Sequence, residues 1–230
     1  MSERQETAMS IDPSRSLADL VLERPARAPV LERLGLDFCC GGKQSLGDAC
    51  AERGLDPATV AVFLAAEPAP SATEHDDWSS APLADLCTHI VEAHHGRLRW
   101  ELPRLSELAR KTLHAHGADR PELAELREVY ESLRAELEEH IEDEERRVFP
   151  ALVAGEVPAD ELAALEHEHD AAGAALRRLR ELTGGYDRGR ALCSTYRALL
   201  DGLHGLELEL HQHVHEENNV LFPRARALAV

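Results

Sequence analysis

Aromatic residues are scarce in this chain, with two Trp, three Tyr and four Phe in 230 residues. Basic residues are also in short supply: 25 Lys and Arg stand against 43 Asp and Glu, a formal charge of −18. A phosphate-backbone binder needs a cationic surface to displace counterions, so nucleic acid is excluded as an expected partner. No uninterrupted apolar run reaches the roughly 18 residues of a spanning helix, and no membrane partner is expected. The five cysteines are an odd number without the spacing of a disulfide framework, and residues 1–16 lack the apolar stretch of a secretory signal. The expected compartment is therefore the reducing cytoplasm. Strand-like alternation is missing as well, which leaves an all-α fold. Against these deficits, 43% of the residues are hydrophobic, enough for a folded core, and histidine numbers 13, more than Trp, Tyr and Phe together.

Residues 67–82, rich in Pro, Ser and acidic side chains, read as a linker between two domains. Before it, residues 1–66 contain the short helical patterns Leu17–Leu22, Val30–Leu34 and Val60–Leu64, separated by Pro25, Pro29, Gly41-Gly42 and Asp56-Pro57. After it, residues 83–230 carry four long stripes at alternating steps of three and four, the pattern of an amphipathic helix facing a bundle core. The stripes run Val91–His95–Leu98–Leu102–Leu105, then Leu126–Tyr130–Leu133–Leu137–His140–Glu144–Val148, then Leu162–Leu165–His169–Ala172–Leu176–Leu179. The fourth is Tyr196–Leu199–Leu203–Leu206–Leu210–His213–Glu217–Val220. Short breaks near Gly117, Gly155 and Gly184 favour antiparallel neighbours, hence an up-down-up-down four-helix bundle preceded by a small helical N-terminal domain.

The bundle is also a duplication. Leu137, His140, Glu144, Phe149 and Pro150 recur as Leu210, His213, Glu217, Phe222 and Pro223 at a constant offset of 73 residues. Val91-Glu92 and His95 recur at an offset of 74 as Leu165-Glu166 and His169, which favours His95 over His94 as the inward residue. The spacing of His94 from Leu98 keeps His94 as the rival.

One histidine on an apolar stripe is most often a satisfied core residue. Four such histidines, two of them followed one turn later by a glutamate on the same stripe, call for a common explanation, because buried Glu is rarer still. Four imidazoles and two carboxylates exceed the needs of one tetrahedral zinc and fit a two-metal centre with bridging carboxylates. Imidazole with carboxylate suits iron, zinc or manganese. The order His-x-x-x-Glu differs from the Glu-x-x-His of ferritin-type sites. His75, His89, His114, His116, His167, His204, His211 and His215 are expected to be exposed or to support the ligands from behind.

His95, His140-x-x-x-Glu144, Glu166-His167-Glu168-His169-Asp170 and His213-x-x-x-Glu217-Asn218-Asn219-x-x-Phe222-Pro223 resemble the hemerythrin-type HHE bundle. Leu36-Asp37-Phe38-Cys39-Cys40-Gly41-Gly42-Lys43 resembles the short domain that precedes this bundle in the iron-sulfur cluster repair di-iron proteins of the YtfE and ScdA type. Together the two cover nearly the whole chain. The resemblance implies His95, His140, His169 and His213 as terminal ligands of two non-haem irons, Glu144 and Glu217 as their bridges, and an open position for a small diatomic molecule. Glu136 and Glu168 match carboxylates that line a route to the site in such proteins.

Cys39 and Cys40 lie between a helix end and two glycines, so an exposed, mobile turn is expected, with Lys43 near enough to favour thiolate. The alternative is a pair of small hydrophobes packed at a helix end. Cys50, Cys87 and Cys193 fall within helical patterns, where buried inert cysteine is the default. The expected function is repair of iron-sulfur clusters damaged by oxidative or nitrosative stress, with Cys39 and Cys40 passing metal or nitrosyl to a damaged client protein. Nitric oxide reduction, or reversible sensing of oxygen or nitric oxide, are the alternatives, and the protein is expected as a monomer or homodimer.

Overall fold

A computed structural model describes residues 11–68, 78, 80–156 and 158–228. The chain divides into two compact units, Met1–Asp77 and Trp78–Val230. Most of the expected linker, including His75, lies outside the described residues.

In the first unit, helices α1 (Leu17–Glu23), α2 (Ala28–Leu34), α3 (Leu46–Arg53) and α4 (Pro57–Ala66) close around Leu17, Leu20, Leu31, Leu46 and Leu64. Three of them start on side-chain caps that satisfy an otherwise orphaned amide: Ser16 accepts from Asp19 N, Ser45 from Asp48 N and Asp56 from Thr59 N. Of the two prolines expected to separate helices, Pro25 stands between α1 and α2 as expected, whereas Pro29 falls inside α2. Pro25 opens a 3₁₀ turn, Pro25–Arg27, and Pro29 occupies the first turn of α2, where a missing N–H costs nothing.

The second unit is the expected up-down-up-down bundle. Helix α5 covers 83–116 as Leu83–Ile90, Val91–His95 and Gly96–His116. Helix α6 covers 122–154 as Glu122–Asp143, Glu144–Val148 and Phe149–Ala154. Helix α7 is Ala159–Thr183, and α8 covers 194–228 as Ser194–Glu216, Glu217–Leu221 and Phe222–Leu228. Helix α5 packs on α6 and α8, and α6 on α7. No strand occurs among the described residues.

The middle segments of α5, α6 and α8 are π-helical turns, closed by bonds from Gly96 N–H to Val91 O, Phe149 N–H to Glu144 O and Phe222 N–H to Glu217 O. Two of them repeat at the 73-residue offset of the sequence, and each is followed directly by Phe-Pro. Pro150 and Pro223 have no N–H, and their rings crowd the carbonyl four residues back. A turn widened by one residue gives them room.

Two apolar clusters fill the bundle. One includes Leu98, Leu105, Tyr130, Leu137, Leu176 and Leu203, the other Leu86, Ile90, Val148, Leu165, Val220 and Phe222. Along every helix the expected ligand residues lie between a stretch belonging to one cluster and a stretch belonging to the other. The polar residues thus form a layer with hydrocarbon at both ends.

Candidate metal centre

All six expected ligands meet in that layer. Relative exposure is 0% for His95, Glu144 and Glu217, and 1, 3 and 7% for His213, His169 and His140. They form two overlapping sets, His95, Glu144, His213, Glu217 and His140, Glu144, His169, Glu217, each with its ligand atoms within 4.8 Å of one another. The glutamates are common to both sets, and each divides its oxygens between them. Glu144 Oε2 lies 3.4 Å from His95 Nε2 and Oε1 lies 3.3 Å from His140 Nε2. Glu217 Oε1 lies 2.9 Å from His213 Nε2 and Oε2 lies 3.1 Å from His169 Nε2.

Within each set the imidazoles turn the same atom inward: Nε2 faces Nε2 at 3.2 Å for His95 with His213 and for His140 with His169. The outward nitrogens show why. Nδ1 of His95 meets Glu145 Oε1 at 2.8 Å, that of His140 meets Glu168 Oε2 at 2.7 Å, and that of His169 meets Asn218 Oδ1 at 2.8 Å. An acceptor at Nδ1 fixes the proton there and leaves a lone pair on Nε2, the tautomer a metal ligand requires. Phe149 stacks on His95 and Phe222 on His169, so the Phe-Pro repeat also braces the rings.

The donor set fits a cation pair. Both oxygens of Glu144 and Oε2 of Glu217 are buried without a hydrogen bond, which is costly unless a metal takes their place as partner. Two imidazole nitrogens on one ion, with bonds of about 2.1 Å, stand about 3.0–3.5 Å apart, as these do. The charges agree. Burial pushes the Glu217 and Glu144 carboxyls up, as does their mutual repulsion at Glu144, but the surrounding imidazoles hold both below the usual carboxylate range. Burial pushes the His140 imidazole down, yet the negative charge of Glu144 close beside it, with Glu217 and Glu168 behind, raises it to about 10. His95 and His169 rise for the same reason, while burial wins at His213 and lowers it. Without a cation, protons on the imidazoles balance the two carboxylates, and a metal would displace them.

Beside the centre, a cavity of about 450 Å³ is lined by His140, His169 and His213 together with Glu136, Asp143 and Glu168. The two carboxylates expected along a route to the site, Glu136 and Glu168, are thus both on its wall. His94, the rival ligand, is buried but turns its nitrogens to other partners: its Nδ1 meets Glu209 Oε1 at 2.7 Å and its Nε2 meets Glu216 Oε2 at 3.2 Å. The widened turn at Val91–His95 is what buries two consecutive histidines on different partners.

In the first unit, the cysteine pair differs from expectation. Cys39 is buried and Cys40 half-buried, both as free thiols with Sγ atoms 3.9 Å apart. Asp37 Oδ1 accepts from the amides of Cys39 and Cys40 at 3.1 and 3.0 Å and from Cys39 Sγ at 3.2 Å. The turn is tied down rather than mobile, since Ala18 N donates to Gly42 O and Leu17 N to Gln44 O. Gly41 is required there because a Cβ would lie 2.9 Å from Asp37 O. The Cys39 thiol is pushed up, not down, by its hydrogen bond to Cys40, by burial and by the charge of Asp37. Asp37, Cys39 and Cys40 nonetheless form a compact group of possible metal ligands. Cys50 and Cys87 are buried as expected, but Cys193 is half-buried and caps α8, its Sγ accepting from Tyr196 N.

Sequence reasoning missed Asp37, Glu145, Asn218, Glu209 and Glu216. The repeat held a signal for two of them: Glu145 and Asn218 stand 73 residues apart, each next to a bridging glutamate, and each supports a histidine.

The hemerythrin HHE cation binding domain matches residues 87–225, and a domain of unknown function, DUF542, matches residues 13–67. The chain is 38% identical over 220 residues to the iron-sulfur cluster repair protein YtfE of Pectobacterium atrosepticum, covering 92% of this chain and 96% of that protein. It is 38% identical over 213 residues to the protein of the same name from Edwardsiella ictaluri, and 36% over 214 residues to that from Escherichia coli, with the same coverage.

Proposed function

Since the chain belongs to the family of iron-sulfur cluster repair proteins that join a DUF542 domain to a hemerythrin HHE bundle, we propose that it repairs iron-sulfur clusters damaged by oxidative or nitrosative stress in the cytoplasm. The observation that carries the reading is the buried set of four imidazoles around two carboxylates that each offer one oxygen to either side. His95 and His213 would hold one non-haem iron, His140 and His169 the other, with Glu144 and Glu217 bridging. When bound, the pair supplies exchangeable ferrous iron and an open position for oxygen or nitric oxide.

The chain's own residues favour iron delivery. Glu136, Asp143 and Glu168 line the cavity beside the centre with carboxylate, which attracts a cation and offers little to a neutral diatomic gas. Proton uptake by His140 or His169 weakens the hold on an ion and lets it leave. Asp37, Cys39 and Cys40 form an acceptor of matching chemistry, softened by sulfur, from which iron or nitrosyl passes to the damaged client.

Reactivation of a dehydratase whose [4Fe-4S] cluster has lost its labile iron tests the proposal. The iron-loaded protein is expected to restore activity without added iron salts, and the Cys39→Ser/Cys40→Ser protein to remain metallated while restoring several-fold less. Equal restoration by chelator-stripped protein would overturn it.

A further inference from the structure

The 73- and 74-residue offsets make the bundle's two halves comparable residue by residue, and one corner breaks the correspondence. In one half, Glu168 supports Nδ1 of His140, and Glu136 and Asp143 stand nearby on the cavity wall. Their counterparts in the other half are His94, Glu209 and Glu216. His94 therefore takes the place of a carboxylate. Its ring stacks on His213, centroids 5.2 Å apart and planes 9° from parallel, and His213 Nδ1 is left buried without a hydrogen bond. His94 turns instead to acidic partners of its own, joined by His89, whose Nε2 lies 3.2 Å from the same Glu216 Oε2 that meets His94 Nε2 at 3.2 Å.

We propose that His89, His94 and Glu216 form a third, mononuclear site for a divalent first-row cation such as Fe²⁺ or Zn²⁺, next to the paired centre. One nitrogen from each histidine and one Glu216 oxygen converge within 4.8 Å. Two imidazoles and one carboxylate make a three-ligand set that leaves coordination positions open. The supporting groups are built as for the paired centre. Glu209 accepts at Nδ1 of His94, directing its Nε2 lone pair toward Glu216, and is itself anchored by Arg97 at 2.6 Å. Gln212 Nε2 donates to Glu216 Oε1 at 3.2 Å, orienting the carboxylate so that Oε2 faces the histidines. Trp78 stacks on His89, centroids 4.4 Å apart, holding the one ligand that is partly open to solvent.

A cation arriving at His89 thus meets a three-ligand set whose innermost ring lies against a ligand of the paired centre. The site serves as a further holding point beside His213, at the positions that correspond through the repeat to Glu168, Glu136 and Asp143 of the cavity wall. The ligand set stands without the two-iron reading; only the role of holding point rests on it.

The test titrates the metal-free full chain with Co²⁺ under anaerobic conditions, counting bound cobalt by equilibrium dialysis and following the visible d–d bands. The wild-type chain is expected to bind one equivalent more than either His89→Ala or His94→Phe, with the remaining bands unchanged in both variants and the far-ultraviolet helical signal confirming the fold. His94→Phe keeps a ring against His213. Equal cobalt content in wild type and both variants would overturn the third site and leave a hydrogen-bonded ion pair only. The difference between wild type and variants reads the third site whatever the paired centre holds. Failure of the two-iron reading shows separately, as fewer than two equivalents remaining when the same variants also carry Cys39→Ser/Cys40→Ser, which removes the thiol group as a cobalt ligand.

Discussion

Six polar side chains, each costly to bury alone, share one layer, where three of the histidines are held from behind and the inward-facing carboxylate oxygens are left for a cation. Nδ1 of His95, His140 and His169 ends on Glu145, Glu168 and Asn218, and a cation is what would join the carboxylate oxygens to the Nε2 lone pairs they face. The spacing His140-x-x-x-Glu144 and His213-x-x-x-Glu217 made the inner ring legible, since residues four apart share a helix face. The outer ring was legible only in part: Glu168 was singled out for another role, and Glu145 and Asn218 were passed over because each supports a histidine on a different helix. At the cysteine pair, burial and a raised thiol pKa predict that iodoacetamide at pH 8 labels Cys40 well before Cys39 in the folded protein. Mass spectrometry of the digested chain reads the order, and Cys39 labelled first would contradict the assignment. The imidazoles carry a pH prediction for chelator-stripped protein. Burial lowers His140, but Glu144 and its neighbours raise it from 6.5 to about 10. A raised folded pKa contributes stability that is complete below about pH 6.5 and is lost as pH climbs through about 10. The melting temperature should therefore fall between pH 7 and 10, and fall less in His140→Gln. Identical slopes in the two proteins would refute the coupling.

At the scale of elements, the four helices followed from the three-and-four periodicity, but their widened turns did not. A π-turn leaves no mark in an apolar stripe beyond a one-residue slip, and here the slip falls on His94-His95 and just after Glu144 and Glu217. The Phe-Pro repeat was visible in the sequence, yet its meaning needed the ring stacking on His95 and His169. Helices α5 and α8 approach closely at Gly202. A Cβ at buried Gly202 would strike Leu105 Cδ2 and lie 2.8 Å from Arg104 Nη2, and Leu105 is fully buried with nowhere to move. Replacing a mid-helix glycine by alanine ordinarily gains about 0.5–1 kcal/mol. Gly202→Ala should instead destabilise the bundle by about 1–3 kcal/mol through overpacking, read by urea denaturation. A variant as stable as the wild type would show that α5 and α8 are not held this close.

For the molecule as a whole, a dithiol unit and a metal-binding bundle are joined in one acidic chain of formal charge −18. The excess of carboxylate suits a protein that handles cations and agrees with the acidic wall of the cavity beside the centre. The two units were legible because their helical patterns differ in length and are parted by a Pro- and Ser-rich stretch. The clamped turn at Cys39 was not, since its bonds run to Leu17 and Ala18, more than twenty residues away in the chain. Whether Glu144 and Glu217 join two irons is read by Mössbauer spectroscopy of the ⁵⁷Fe-loaded full chain. After oxidation the account predicts that most of the iron forms one spin-coupled, diamagnetic ferric pair, and that Glu144→Leu/Glu217→Leu abolishes this species. Iron present only as isolated paramagnetic ions in the wild type, or a coupled pair that survives the double substitution, would contradict it.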